Sequence, residues 1–253
     1  MRDYQKLQKI GFINKDISAF DRLSGGRIER VGSRGNVLLV KLDNGMNLVL
    51  APEYGGRVLY YTKGSILPTK FHLRLCFSDD TALTVTLTGM GVIQALKENE
   101  LASSYVYKRD FLSAAPSPID EEEFTFEQFS SNLTDKTVNI KSALVGKNAV
   151  VVGLSNSAYQ DIIYRARIHP KRKASDLTES EKRALYDAAK FVIQKRIQSG
   201  GKNQFIDFYG KQGSYTPAMG PNMKEQACPI CGTRVEKLSL GGGQIYFCPK
   251  CQI

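Results

Sequence analysis

The sequence predicts an α+β multidomain protein with an N-terminal antiparallel β-sandwich, a helical domain and a C-terminal four-cysteine zinc ribbon. Three observations carry this. Between Gly26 and Ala95, short apolar runs alternate with turn signals, the pattern of an antiparallel sandwich or barrel. From about Asp120 onward the apolar spacing becomes helical. Near the end, Cys228-Pro229-Ile230-Cys231 and Cys248-Pro249-Lys250-Cys251 form two CxxC pairs, a spacing that reads as a structural metal site. Domain limits follow at 1–112, 120–221 and 222–253, with Ser113–Pro118 as a linker by composition.

Composition narrows the class. The chain has 253 residues, 42% of them hydrophobic, enough for two core-bearing domains plus a metal-held appendage. A formal net charge of +10 points to a polyanionic partner. No apolar run approaches transmembrane length, so no membrane role is expected. The first residues, Met1-Arg2-Asp3-Tyr4, lack the apolar stretch of a signal peptide. The expectation is therefore a cytoplasmic, nucleoid-associated protein. Only two histidines occur, His72 and His169, which excludes catalysis built on several histidines.

Taken in order, residues 1–22 carry sparse apolar positions, with a short helix expected over Asp3–Lys9. Strands are expected at Asn36–Leu42 and Met46–Leu50, joined by the tight turn Asp43-Asn44-Gly45. Further strands follow at Arg57–Tyr61, Phe71–Phe77 and Ala82–Leu87. Cys76 lies in an apolar run and reads as a core residue. The acidic run Asp120–Glu123 reads as negative charge at the start of a helix over Phe124–Asn132.

Helices are next expected at Val138–Val145 and, capped by Asn156, as far as Arg167, with Pro170 enforcing a stop. Thr178 and Glu181 make a capping box for a long helix with Leu185, Ala188, Phe191 and Val192 at core spacing, ended by Gly200-Gly201. Residues 202–226 read as an extended connector. In the ribbon, sixteen residues separate Cys231 from Cys248, with Gly241-Gly242-Gly243 as the turn between two strands. Four converging thiolates suit a closed tetrahedral Zn2+ shell; two disulfides or free thiols are the alternative.

Val152-Gly153-Leu154-Ser155-Asn156, the exit Ile168-His169-Pro170, Gly200-Gly201 and the ending Phe247-Cys248-Pro249-Lys250-Cys251-Gln252 together resemble one family. It is the formamidopyrimidine-DNA glycosylase and endonuclease VIII family, with its helix-two-turn-helix and C-terminal zinc finger. The resemblance covers residue 120 to the end most specifically and the sheet domain more weakly. It implies binding of double-stranded DNA, damaged or bent, in a groove between sheet and helical domains, by a monomer. Asn156 would present a helix N-terminus to a backbone phosphate. Lys141 matches a family lysine near the phosphates. Arg165, Arg167, Lys171, Arg172 and Lys173 add positive charge, and Met90 would wedge between bases. His169 reads as structural.

The departures from the family pattern are equally specific. Active members use a processed N-terminal proline followed by glutamate; this sequence starts Met1-Arg2-Asp3, and its Pro52-Glu53 pair is internal. The family's Arg-Gly-Lys turn is here Arg34-Gly35-Asn36, and the arginine of the ribbon tip falls at Gly243. The intercalating loops read Thr88-Gly89-Met90-Gly91 and Glu53-Tyr54-Gly55-Gly56. The sequence thus predicts a DNA-binding relative with no catalytic residue. An active glycosylase or abasic-site lyase with a substitute amine is the alternative, and an RNA-binding or scaffold protein the third reading.

Overall fold

The computed structural model describes residues 12–53 and 55–253; the helix expected over Asp3–Lys9 and Tyr54 of the second intercalating loop lie outside them. The chain divides into two compact units, residues 1–113 with 203–213, and residues 114–202 with 214–253.

In the first unit, β1 (Ile28–Arg34), β2 (Val37–Leu42), β3 (Met46–Ala51) and β7 (Val92–Lys97) form an antiparallel sheet in the order β1-β2-β3-β7. Strands β4 (Arg57–Tyr61), β5 (Leu73–Cys76) and β6 (Ala82–Thr86) form a second, in the order β4-β6-β5. The Asp43–Gly45 turn joins β2 to β3 as expected: Gly45 takes φ +79°, and Asn44 Oδ1 accepts from the Met46 N–H at 3.1 Å.

Every residue of β3 is buried. Met46, Leu48 and Leu50 join Val85 and Leu87 in the core between the sheets, as strand alternation requires. Val49 and Ala51 face the other way, into a second core with Leu101 and Val106. Val106 belongs to α1 (Tyr105–Asp110), a short helix whose two turns are too few to show a period in the sequence.

Two expectations for this unit fail. Cys76 is exposed, not core, because it ends the edge strand β5, whose residues are alternately half-buried and exposed. Residues 203–213 are not a plain connector. Phe208 O accepts from the Tyr60 N–H at 2.9 Å, and the two rings stack at 5.5 Å. Strand β4 is an edge strand, so its outer backbone groups need partners that a returning loop can supply.

The second unit holds α2 (Phe126–Thr134), α3 (Ile140–Val145), α4 (Asn156–Arg165) and α5 (Glu179–Gln198), then the ribbon strands β8 (Glu236–Leu240) and β9 (Gly243–Phe247). Helix α2 starts later than expected because Thr125 is its cap, its side chain accepting from the Gln128 N–H at 3.3 Å. The acidic run does not charge that helix end. Asp120 Oδ1 accepts from the Glu122 and Glu123 N–H groups, each at 3.1 Å, in a turn of its own. The Thr178–Glu181 capping box opens α5 as expected, and Gly200 and Gly201 end it with φ +65° and +95°. Phe191 departs from the expected core: it is 43% exposed, with the Arg165 guanidinium 4.7 Å above its ring.

The core of this unit runs from Phe124 and Phe129 through Ile162, Ile163 and Leu185 to Ile245 of β9. Ribbon and helices therefore share one apolar interior. Among the described residues, no helix is long and apolar enough to cross a membrane.

Candidate nucleic-acid interface and metal centre

Each CxxC turn aims two sulfurs at one point. The Sγ atoms of Cys228, Cys231, Cys248 and Cys251 all lie within 4.8 Å of one another, and none is in a disulfide. A tetrahedral Zn–S4 shell with bonds of about 2.3 Å needs sulfur separations of about 3.8 Å. Cys228 and Cys251 are 3.9 Å apart and Cys231 and Cys248 3.4 Å, so the four cysteines fit a metal ion. Gly232, at φ +72°, completes the first turn in the left-handed region that glycine tolerates. Cys228 and Cys248 are buried among Tyr164, Met219, Val235 and Tyr246, an apolar wall on one side of the cluster, while Cys231 and Cys251 are half-buried.

Helix α4 runs from beside this cluster to the ribbon tip. Its cap is Ser155, not Asn156: Ser155 is extended (φ −83°, ψ 160°), and its side chain accepts from the Ala158 N–H at 3.2 Å. Serine at the cap leaves Asn156 as the first helical residue, its amide turned to the ribbon, where Nδ2 donates to Gln244 O at 3.1 Å. Asn156 Oδ1 is buried with no hydrogen-bond partner. The helix also ends at Arg165, earlier than expected, since Ala166 is the C-cap and Arg167 takes φ +59°.

Lys141 comes to the same place from α3. Its Nζ donates to Leu240 O and, at 3.3 Å, to Gly241 O. Burial pulls its pKa below the usual lysine value. A Cβ on Gly243 would lie 3.1 Å from Lys141 Nζ and 3.5 Å from Asn156 Nδ2. The tri-glycine tip thus lets an ammonium and an amide converge at the start of α4, where first-turn N–H groups have no intrahelical partner. Such a place favours an anion.

The remaining predicted cations do not gather there. Arg165 Nε donates to buried Asp161 at 3.0 Å. Arg172 Nη1 and Nη2 grip the two carboxylate oxygens of Glu181 at 2.9 and 3.1 Å. Lys171 and Lys173 are exposed. His169 is structural in its surroundings, packed edge-on against Phe247 at 4.9 Å; burial foremost, then Lys171, holds its pKa low.

In the first unit, Met90 is 70% exposed. The loop that bears it meets the loop after Pro52 at glycines: a Cβ on Gly91 would lie 3.0 Å from Pro52 O, and one on Gly56 only 1.9 Å from it. The Arg34-Gly35-Asn36 turn is clasped by buried Asp110, whose Oδ2 accepts from the Asn36 N–H at 2.9 Å.

Sequence reasoning missed Gln160 and Tyr164. Both lie on the face of α4 that bears Asn156, four residues apart. Gln160 Oε1 accepts from the Tyr246 N–H at 2.8 Å, and the Tyr164 hydroxyl lies 3.2 Å from Cys228 Sγ. The polar spacing 156, 160, 164 was the available signal.

A sheet sandwich followed by a helix-two-turn-helix and a four-cysteine ribbon defines a class of DNA-repair fold. Residues 114–206 match the family described as "Formamidopyrimidine-DNA glycosylase H2TH domain". The formamidopyrimidine-DNA glycosylase of Streptococcus pneumoniae is 30% identical over 245 residues, covering 95% of this chain and 87% of that protein. That of Pelotomaculum thermopropionicum is 30% identical over 244 residues, covering 94% and 86%. The Lactococcus lactis Fpg, solved in complex with an abasic site containing DNA, shares the fold at TM-score 0.81 and 23% identity, over 95% of this chain and 88% of that one. The chain belongs to the formamidopyrimidine-DNA glycosylase family.

Proposed function

We propose that this chain binds double-stranded DNA, at damaged or bent sites, and does so without the glycosylase and lyase chemistry of its active relatives. One observation carries the binding half: Lys141, Asn156 and the first turn of α4 converge at a side-chain-free ribbon tip. A backbone phosphate suits that place, since it takes both the donors and the helix end. Lys171 adds exposed charge, whereas the Arg165 and Arg172 guanidiniums are held by Asp161 and Glu181. Met90 is proposed as an apolar wedge against an unstacked base. The cysteine cluster is proposed to hold Zn2+, which when bound supplies structure and no reaction step.

The chemical half rests on an internal residue. Where the family turn carries a lysine, Asn36 offers a neutral side-chain amide, and its backbone N–H donates to Asp110. A second reading has one observation in its favour. Burial favours the neutral amine of Lys141, and a neutral amine condenses with the aldehyde of an abasic site to an imine, releasing water.

Borohydride trapping on abasic-site duplex decides between them. The expected result is tight, salt-dependent binding with no covalent adduct. An adduct lost in Lys141→Gln overturns the non-catalytic reading in favour of the second.

A further inference from the structure

We propose that Tyr164 is a positioning residue of the metal centre. Its hydroxyl donates to the Cys228 thiolate, so that α4 links metal occupancy at one end to the phosphate site at the other. The inference rests on the metal reading above and concerns a residue that the cysteine motif does not include.

Tyr164 is 4% exposed. A hydroxyl buried that deeply is costly unless it is hydrogen-bonded. Cys228 Sγ, at 3.2 Å, is the partner. A metal-bound thiolate carries no proton, so the hydroxyl is the donor. Groups of this kind orient a ligand and draw charge from it, and they matter nearly as much as the ligands themselves.

The donor comes from outside the ribbon, which gives it a second consequence. Asn156, Gln160 and Tyr164 form a stripe along one face of α4. Their partners are Gln244 O, the Tyr246 N–H and Cys228 Sγ. Eight residues of helix rise span about 12 Å, so one rigid element joins the sulfur cluster to the anion site. Of the three bonds only the one from Tyr164 reaches a metal ligand, so metal occupancy acts on the helix through that hydroxyl.

The test uses the full chain as wild type, Tyr164→Phe and Gln160→Met. Zinc affinity is measured by chelator competition, and the sulfur-to-metal charge-transfer band is read at saturating Co2+. Tyr164→Phe is expected to bind one metal ion with about 10- to 100-fold lower affinity. Its band should move to lower energy, because a thiolate without its donor gives up electron density more readily. Gln160→Met, which loosens the ribbon without touching a sulfur, should keep both values.

Wild-type affinity and an unmoved band in Tyr164→Phe overturn the proposal while leaving the metal reading intact. Equal zinc loss in Gln160→Met also overturns it, since the effect is then general docking. A wild-type chain that takes up no metal overturns the metal reading, and this proposal with it. Duplex affinity at limiting zinc gives the linkage: Tyr164→Phe should lose binding there and regain it at saturating zinc.

Discussion

Arg172 and Glu181 form a two-pronged ion pair, Nη1 to Oε1 at 2.9 Å and Nη2 to Oε2 at 3.1 Å. The same guanidinium donates to Asp176 O at 3.0 Å and Ile253 O at 3.3 Å. An arginine placed by sequence among DNA contacts thus ties the start of α5 to the end of the ribbon. Arg172→Ala should cost about 1–2 kcal/mol of stability, read from denaturant midpoints, while lowering duplex affinity less than Lys171→Ala does. The reverse ranking would restore Arg172 to the DNA contacts.

The same pair sets a pH dependence. Glu181 is partly desolvated, which raises its pKa, but the Thr178 N–H and Arg172 outweigh this and hold it below the ordinary 4.5. A carboxyl depressed in the folded state stabilises above its unfolded pKa, and that stability is lost as pH falls through the folded value. Wild type should therefore lose stability more steeply than Glu181→Gln below about pH 4.5. Parallel curves would show that the pair contributes nothing.

Zinc removal should unfold β8 and β9 first, because metal binding and local folding are coupled. Helix α5 should keep its hydrogen-exchange protection while duplex affinity falls. Exchange that rises equally in both elements would show instead that the ribbon does not open separately.

Lys141→Gln should weaken binding to duplexes of every sequence alike and reduce the salt slope of log Kd by about 1. Asn156→Ala should weaken binding with little change of slope, since it removes a neutral donor. Unchanged affinity in both variants would move the phosphate site elsewhere.

Phe208→Ala should release residues 203–213 from β4. The lost stacking on Tyr60 should cost about 1 kcal/mol, and limited proteolysis should begin within the segment. Resistance equal to wild type would show that the backbone bond from the Tyr60 N–H and the Tyr209 ring on Tyr60 hold the loop without Phe208.

Much of the fold was legible because its signals are local. The Asp43–Gly45 turn, the Thr178–Glu181 box and the paired cysteines each act within a few residues of themselves. What escaped was nonlocal. Helix α1 exists because β3 needs a cover for Val49 and Ala51. Segment 203–213 is held by an edge strand far away in sequence. The capping role expected of Asn156 passed to Ser155, since both residue types cap well and only packing against β9 frees one of them for the ribbon.

By itself the sequence determined that four cysteines converge, that a sheet sandwich precedes helices and that the whole is basic. These follow from spacing, period and composition, which the chain carries wherever it folds. The tertiary structure alone decided which charges are spent inside the fold and which face outward. It paired Arg165 with Asp161 and Arg172 with Glu181, and set Lys141 beside a glycine tip about a hundred residues away. A charge finds its partner in space, and spatial neighbours fixed by a shared core are not written in the spacing of a motif.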